Sequence, residues 1–152
     1  MGLDMYLYKE YYIGANYEHN NVTGTFEIFK NGEKVNLELK DIKYVYNEAV
    51  YWRKANMIHK WFVDNVQEGA DDCKRYYVER EQLKELLETC KKVLENHELT
   101  QELLPTQDGF FFGSIEYDED YVNDIKYTAE QLKGLNLESE EYGFSYYYES
   151  SW

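Results

Sequence analysis

The stretch TGTFEIFK-NG-EKVNLELK is the tightest local constraint on the fold. Asn31-Gly32 is the favoured pair for a type I′ turn, because both central residues of that turn need positive φ. A two-residue loop pairs Lys30 with Glu33, Ile28 with Val35 and Phe26 with Leu37, which puts the apolar partners on one face. An antiparallel hairpin is therefore expected, and with it a sheet that other strands can join.

Two further segments carry the period of a strand. Leu3, Met5 and Leu7 alternate with Asp4, Tyr6 and Tyr8, and Phe144, Tyr146 and Tyr148 alternate with Ser145, Tyr147 and Glu149. The second of these is expected beside the first in an antiparallel sheet. The polar run Gly14 to Asn21 reads as a loop, with His19 a solvated member of it. For DIKYVYNEA, periodicity leaves open both a short strand and a direct run into a helix.

That helix is expected to begin near Asn47, a good N-cap, and to finish before Gly69. Within YWRKANMIHKWF, Tyr51, Ala55, Ile58 and Phe62 fall on one apolar stripe, and Trp52, Asn56, His59 and Val63 on the adjoining one. Arg53, Asn56 and Lys60 share a third flank. A polar connection, residues 67 to 77, then turns back toward this helix. From Val78 onward Leu83, Leu86, Leu87, Cys90, Val93 and Leu94 recur at helical spacing, so Cys90 reads as a small buried hydrophobe and His97, just past the end, as structural. Pro105 stops the short LTQELL segment. Gly109 and Gly113 bracket three Phe residues, which suits a short strand or a loop wedged into the core. Asp118 can cap a third helix through about Lys133, with Tyr121, Ile125, Thr128 and Leu132 inward and Asp120, Asp124 and Lys126 exposed. The expected architecture is α+β: one compact domain over residues 1–152, in which an antiparallel sheet of the N-terminal strand, the Asn-Gly hairpin and the C-terminal strand packs against three main helices.

Charge narrows the function. The net charge is -14, yet residues 1 to 75 carry 12 acids against 10 Lys plus Arg, whereas residues 95 to 152 carry 14 acids against two Lys. Phosphate backbones select basic patches, so direct nucleic-acid binding is not expected. A protein with a basic surface is the expected partner, met by Glu116, Asp118, Glu119, Asp120 and Asp124. ESEE, residues 138 to 141, forms a second acidic cluster in a linker. No apolar run approaches the roughly 20 residues of a membrane span, and the N-terminus lacks a signal-peptide pattern. Met1-Gly2 is followed by Tyr at position 6, where a myristoylation motif wants Ser or Thr. With two cysteines, Cys73 and Cys90, a disulfide framework is not expected, and a reducing cytoplasm is.

Several chemistries can be assembled on paper. Cys73 and His59, oriented by Asp71 or Asp72, would be a nucleophile and base if the 67 to 77 connection folds onto the helix. The same residues offer metal-ligand types without the paired spacing of a zinc motif. A pocket of Trp52, Arg53, Asn56, His59 and Asp72 would join aromatic rings to a few donors suited to an anionic metabolite or nucleotide. Against all of these stands a hydrogen-bonded network that simply ties the helix to the connection. The preferred reading assigns no catalytic residue, metal or cofactor.

The opening MGLDMYLYK, the YWRKANMIHKWFVDNVQ segment, the DDC connection, LLPT followed by GFFFG, and the closing SSW together resemble a family of small uncharacterised proteins from bacteriophages and prophages. The resemblance runs nearly end to end. It implies a phage origin and a bacterial cytoplasm, and it transfers no catalytic residues. The expected function is that of an acidic accessory protein that acts by binding, blocking a basic surface of a host or defence protein. The alternatives are a small-ligand protein or enzyme built on the pocket above, and a virion or assembly component.

Overall fold

The computed structural model describes residues 2–139 and 143–152. It is an α+β fold. Strands β1 (Asp4–Tyr12), β4 (Tyr44–Arg53), β5 (Tyr76–Val78) and β6 (Phe144–Ser151) form an antiparallel sheet in the order β4-β1-β6-β5, while β2 (Phe29–Lys30) and β3 (Glu33–Lys34) form a separate ribbon. The helices are α1 (Asn56–Asn65), α2 (Arg80–Glu95), the short α3 (Thr100–Leu103) and α4 (Glu119–Gly134). Among the described residues no helix is long and apolar enough to cross a membrane. Residues 140 and 141 of the ESEE cluster lie outside the described residues.

Alternation decides which side of the sheet is core. Leu3, Met5 and Leu7, with Val50, Trp52, Val78, Tyr146 and Tyr148 from neighbouring strands, are buried against Ile58 and Phe62 of α1, Leu83, Leu86 and Cys90 of α2, and Ile125 and Leu132 of α4. Phe62 and Tyr148 stack with ring centroids 4.0 Å apart, which locks α1 to the sheet. The C-terminal strand thus lies beside the N-terminal one, as the alternation requires.

The first helix begins later than its pattern predicts. Residues 44–53 are strand, so Tyr51 and Trp52 sit on opposite sheet faces and not on helical stripes. Val45, Val50 and the ring-bearing residues around them favour the pleated backbone, and Lys54, at φ 59, turns the chain out of the strand while its amide closes onto Leu3 O at 2.8 Å. The remainder of the stripe, Ala55, Ile58 and Phe62, is buried as expected. Likewise Val78 belongs to β5, and α2 starts two residues later, at Arg80, behind a capping box in which Glu79 N–H donates to Gln82 Oε1 at 2.9 Å. Helix α4 matches its expected span, with the Asp118 carboxylate accepting from Tyr121 N–H at 3.1 Å.

Next to its turn the Asn-Gly hairpin keeps the expected register, Lys30 opposite Glu33 and Val35 N–H donating to Ile28 O at 2.7 Å, but Leu37 N–H turns back to Val35 O at 3.1 Å and the ladder does not extend to the expected Phe26–Leu37 pair. It does not join the main sheet, and Ile28, Phe29, Val35 and Leu37 are exposed on it. Turn chemistry sets local pairing and carries no information about which sheet edge is free. GFFFG is a loop: Phe112 plugs the core while Phe110 is 85% exposed. Gly113, at φ 93, sits where a Cβ would meet Lys54 Cβ at 3.1 Å and Lys54 O at 3.3 Å, so it supplies both positive φ and close approach.

One irregularity shapes the uncovered face. Leu7 pairs with Val50, but Tyr8 pairs with Glu48, so Ala49 is an extra residue in β4. This bulge reverses the alternation beyond it. It brings Glu48, Tyr46 and Tyr44 to the face that already holds Tyr8, Glu10 and Tyr12.

Candidate functional site

Helix α1 presents Asn56 and His59 three residues apart on its buried side, and both are consumed by the fold. The Asn56 amide donates to Phe112 O at 3.1 Å and Ser114 O at 2.8 Å, and its oxygen accepts from Gln107 N–H at 3.0 Å. All the hydrogen-bonding sites that anchor the 107–114 loop are thereby in use. His59 is 0% exposed. Its Nε2 lies 3.1 Å from Asp71 Oδ2 and its Nδ1 2.8 Å from Tyr148 Oη. The other Asp71 oxygen accepts from Trp152 Nε1–H at 3.0 Å, and Phe112 meets the imidazole edge to face at 5.3 Å.

The protonation states follow. Burial lowers the His59 pKa, with Asp71 opposing, while burial, then Asp71 and Cys73, raise that of Tyr148 well above the usual phenol value. Tyr148 therefore keeps its proton and donates to Nδ1, and neutral His59 donates from Nε2–H to the Asp71 carboxylate. The imidazole has no free lone pair and no route to solvent. Cys73 is half-buried near Tyr148, and with both His59 nitrogens engaged by Tyr148 and Asp71 the imidazole does not serve it as a base. The nucleophile–base reading is thereby corrected.

The expected pocket is corrected too, because its five residues do not converge. Trp52 donates Nε1–H to Thr128 Oγ1 at 2.9 Å inside the core. Asp72 turns outward to Lys74 Nζ at 2.6 Å and Tyr76 Oη at 3.1 Å, and Lys74 foremost lowers its pKa. Asp71, not Asp72, orients His59. Arg53 lies in a different cleft. Among the described residues no group of three or more His, Cys, Asp or Glu side chains comes together as a metal site. The expected network between the helix and the 67–77 connection is met by His59 through Asp71, whereas Asn56 is tied instead to the 107–114 loop.

Arg53 and Lys54 form one wall of a cleft of about 300 Å³ whose other wall is acidic: Glu116, Asp118, Asp120 and Asp124. Asp124 was expected to be exposed and is half-buried. Its pKa is raised from 3.8 to about 6, by burial first and then by Asp120 and Asp118. Glu116, Asp118, Glu119 and Asp120 are exposed, and among the described residues none of the five acids forms an ion pair.

Sequence reasoning passed over a third place, the open face of the sheet. Tyr6 stacks near-parallel on Tyr8 at 5.7 Å and leans on Tyr51 at 5.4 Å, Tyr8 meets Tyr46 at 5.4 Å, and Tyr147 meets Tyr77 at 5.9 Å. Carboxylates stand among the rings. Tyr51 donates to Asp4, and partial burial, followed by Asp4, Glu48 and Glu149, raises the Tyr6 pKa. Just ahead of β5, Arg75 places its guanidinium over Tyr8, Tyr46 and Tyr147 at 5.1, 5.2 and 4.6 Å and pairs with Glu10 at 3.0 Å. The signal was present in the polar half of each alternating strand, where tyrosine takes the positions that solvent-facing residues usually fill.

No family model, no curated protein and no solved structure matches this chain.

Proposed function

We propose that this chain acts by binding a protein with a basic surface, as a phage accessory protein that blocks a host or defence protein in the bacterial cytoplasm. The observation that carries the reading is the group of uncompensated carboxylates around the first turns of α4. Five acids share one region, none has an ion-pair partner among the described residues, and the Asp124 pKa is raised to about 6, by burial first and then by Asp120 and Asp118. Arg53 and Lys54 across the cleft do not cancel this field. A cationic partner would relieve the repulsion, lower the Asp124 pKa and gain from complementary charge.

The test is capture from a bacterial lysate at low and high salt. A basic protein retained at low salt, released by salt, and lost with Glu116→Lys/Glu119→Lys/Asp120→Lys supports the reading. Asp118 is left intact because it caps α4. Retention that survives the triple reversal would refute it.

A further inference from the structure

We propose that the open sheet face, built from β1, β4, β6 and β5, is a receptor for arginine side chains of a protein partner. The proposal rests on the preceding reading only in taking that partner to be basic, and it uses a different surface.

The strand register sets carboxylates among adjoining rings. Across the sheet, one row runs Tyr51, Tyr6, Glu149; the next runs Glu48, Tyr8, Tyr147, Tyr77; the third runs Tyr46, Glu10, Ser145. The bulge at Ala49 is what keeps Glu48 and Tyr46 in step with this pattern. Between the second and third rows the chain supplies its own ligand: Arg75 lies over Tyr8, Tyr46 and Tyr147 and pairs with Glu10. Between the first and second rows the same set recurs, with rings from Tyr6, Tyr51 and Tyr8 and carboxylates from Glu48 and Glu149. Among the described residues neither of those acids has an ion-pair partner; Arg53, beyond the row's end, lines the α4 cleft and its charge also reaches Tyr51. The second position therefore offers rings and carboxylates of the kind that hold Arg75, sharing Tyr8 with it.

The chemistry selects the occupant. A guanidinium is planar, stacks on tyrosine faces and gives a fork of donors to a carboxylate, whereas an ammonium is a strongly hydrated point charge. A phosphate backbone is repelled by Asp4, Glu48 and Glu149. Tyrosine adds a large contact area at little conformational-entropy cost, as at engineered and natural binding surfaces.

The probes are a short peptide alternating glycine with arginine and its lysine counterpart, titrated calorimetrically against the whole chain. The arginine peptide is expected to bind at least tenfold tighter than the lysine peptide, a difference of about 1.4 kcal/mol. Glu48→Gln/Glu149→Gln, which keeps side-chain shape, is expected to weaken it at least tenfold. Glu95→Gln/Glu98→Gln, the same charge change at the end of α2, should leave affinity within twofold. Melting curves confirm that both double variants are folded. Equal binding of the two peptides, no binding of either, or self-association through this face that is lost in Glu48→Gln/Glu149→Gln would overturn the proposal. If lysate capture behaves as proposed and the peptides do not, this inference fails alone; the converse result removes the α4 surface and leaves the sheet face standing.

Discussion

Replacing Asp124 by Asn should stabilise the protein at neutral pH and do nothing at acid pH. The carboxyl has its pKa raised from 3.8 to about 6, by burial and then by Asp120 and Asp118. A carboxyl raised in the folded state holds its proton more tightly there than in the unfolded chain. Below pH 3.8 both states are protonated and the site costs nothing; as pH rises to about 6 the cost grows, and above that it is fully present. The pKa gap caps this cost at about 3 kcal/mol, using 1.36 kcal/mol per pH unit. Asp124 is only half-buried, and screening by solvent brings the expected value to about 1 to 1.5 kcal/mol. For a chain of this size that is a rise in Tm of roughly 3 to 5 °C. Urea unfolding of both proteins at pH 7 and pH 4, in low salt, measures the difference directly. A gain of the same size at both pH values would mean that Asn improves packing or helix propensity, and the electrostatic account of this region would be wrong.

The His59 network predicts the opposite slope. Burial holds the His59 pKa below its unfolded value of 6.5, so its contribution is complete above that pH and is lost as pH falls below it; Tyr148→Phe, which strands Nδ1 without a donor, should cost about 1 to 3 kcal/mol in chemical denaturation. Asn56→Ala removes three hydrogen bonds that hold residues 107–114 and should cost about 2 to 4 kcal/mol, with proteolysis appearing first in that loop. Arg75→Lys keeps the charge opposite Glu10 but loses planar stacking on three rings; for a partly exposed site the expected loss is about 0.5 to 1 kcal/mol, and an unchanged Tm would show that the stacking contributes nothing.

Elements whose evidence is local could be read from the sequence. Alternation placed β1 and β6, Asn31-Gly32 fixed the hairpin register, and Asp118 with its apolar stripe fixed α4. Residues 44–53 resisted because Trp52, Asn56, His59 and Val63 match a helical repeat while Val50 and Trp52 equally match a strand; the left-handed Lys54 that decides between them is a lysine, a residue with no recognised preference for that conformation. The polar pair on α1 was located correctly, but a sequence does not say whether a polar side chain near a core is satisfied or available. That depends on Gln107, Phe112, Ser114, Asp71 and Tyr148, all distant in the chain or reached through a turn.

The same distinction separates the interior from the sheet face. Every polar atom of Asn56 and His59 has a partner the fold requires, so their presence needs no function to explain it. Tyrosine on an open strand has a partial structural explanation in β propensity, and the ring contacts of Tyr6, Tyr8 and Tyr51 add cross-strand stabilisation. Propensity gives no reason to set Glu48 and Glu149 beside rings that already answer to Asp4, where, after partial burial and Asp4, their fields add to the rise in the Tyr6 pKa. Threonine or lysine at those positions would bring the net charge of -14 nearer to that of an ordinary small domain. The fold alone therefore accounts for the rings, and the two unpaired carboxylates beside them are the groups that the proposed guanidinium would meet.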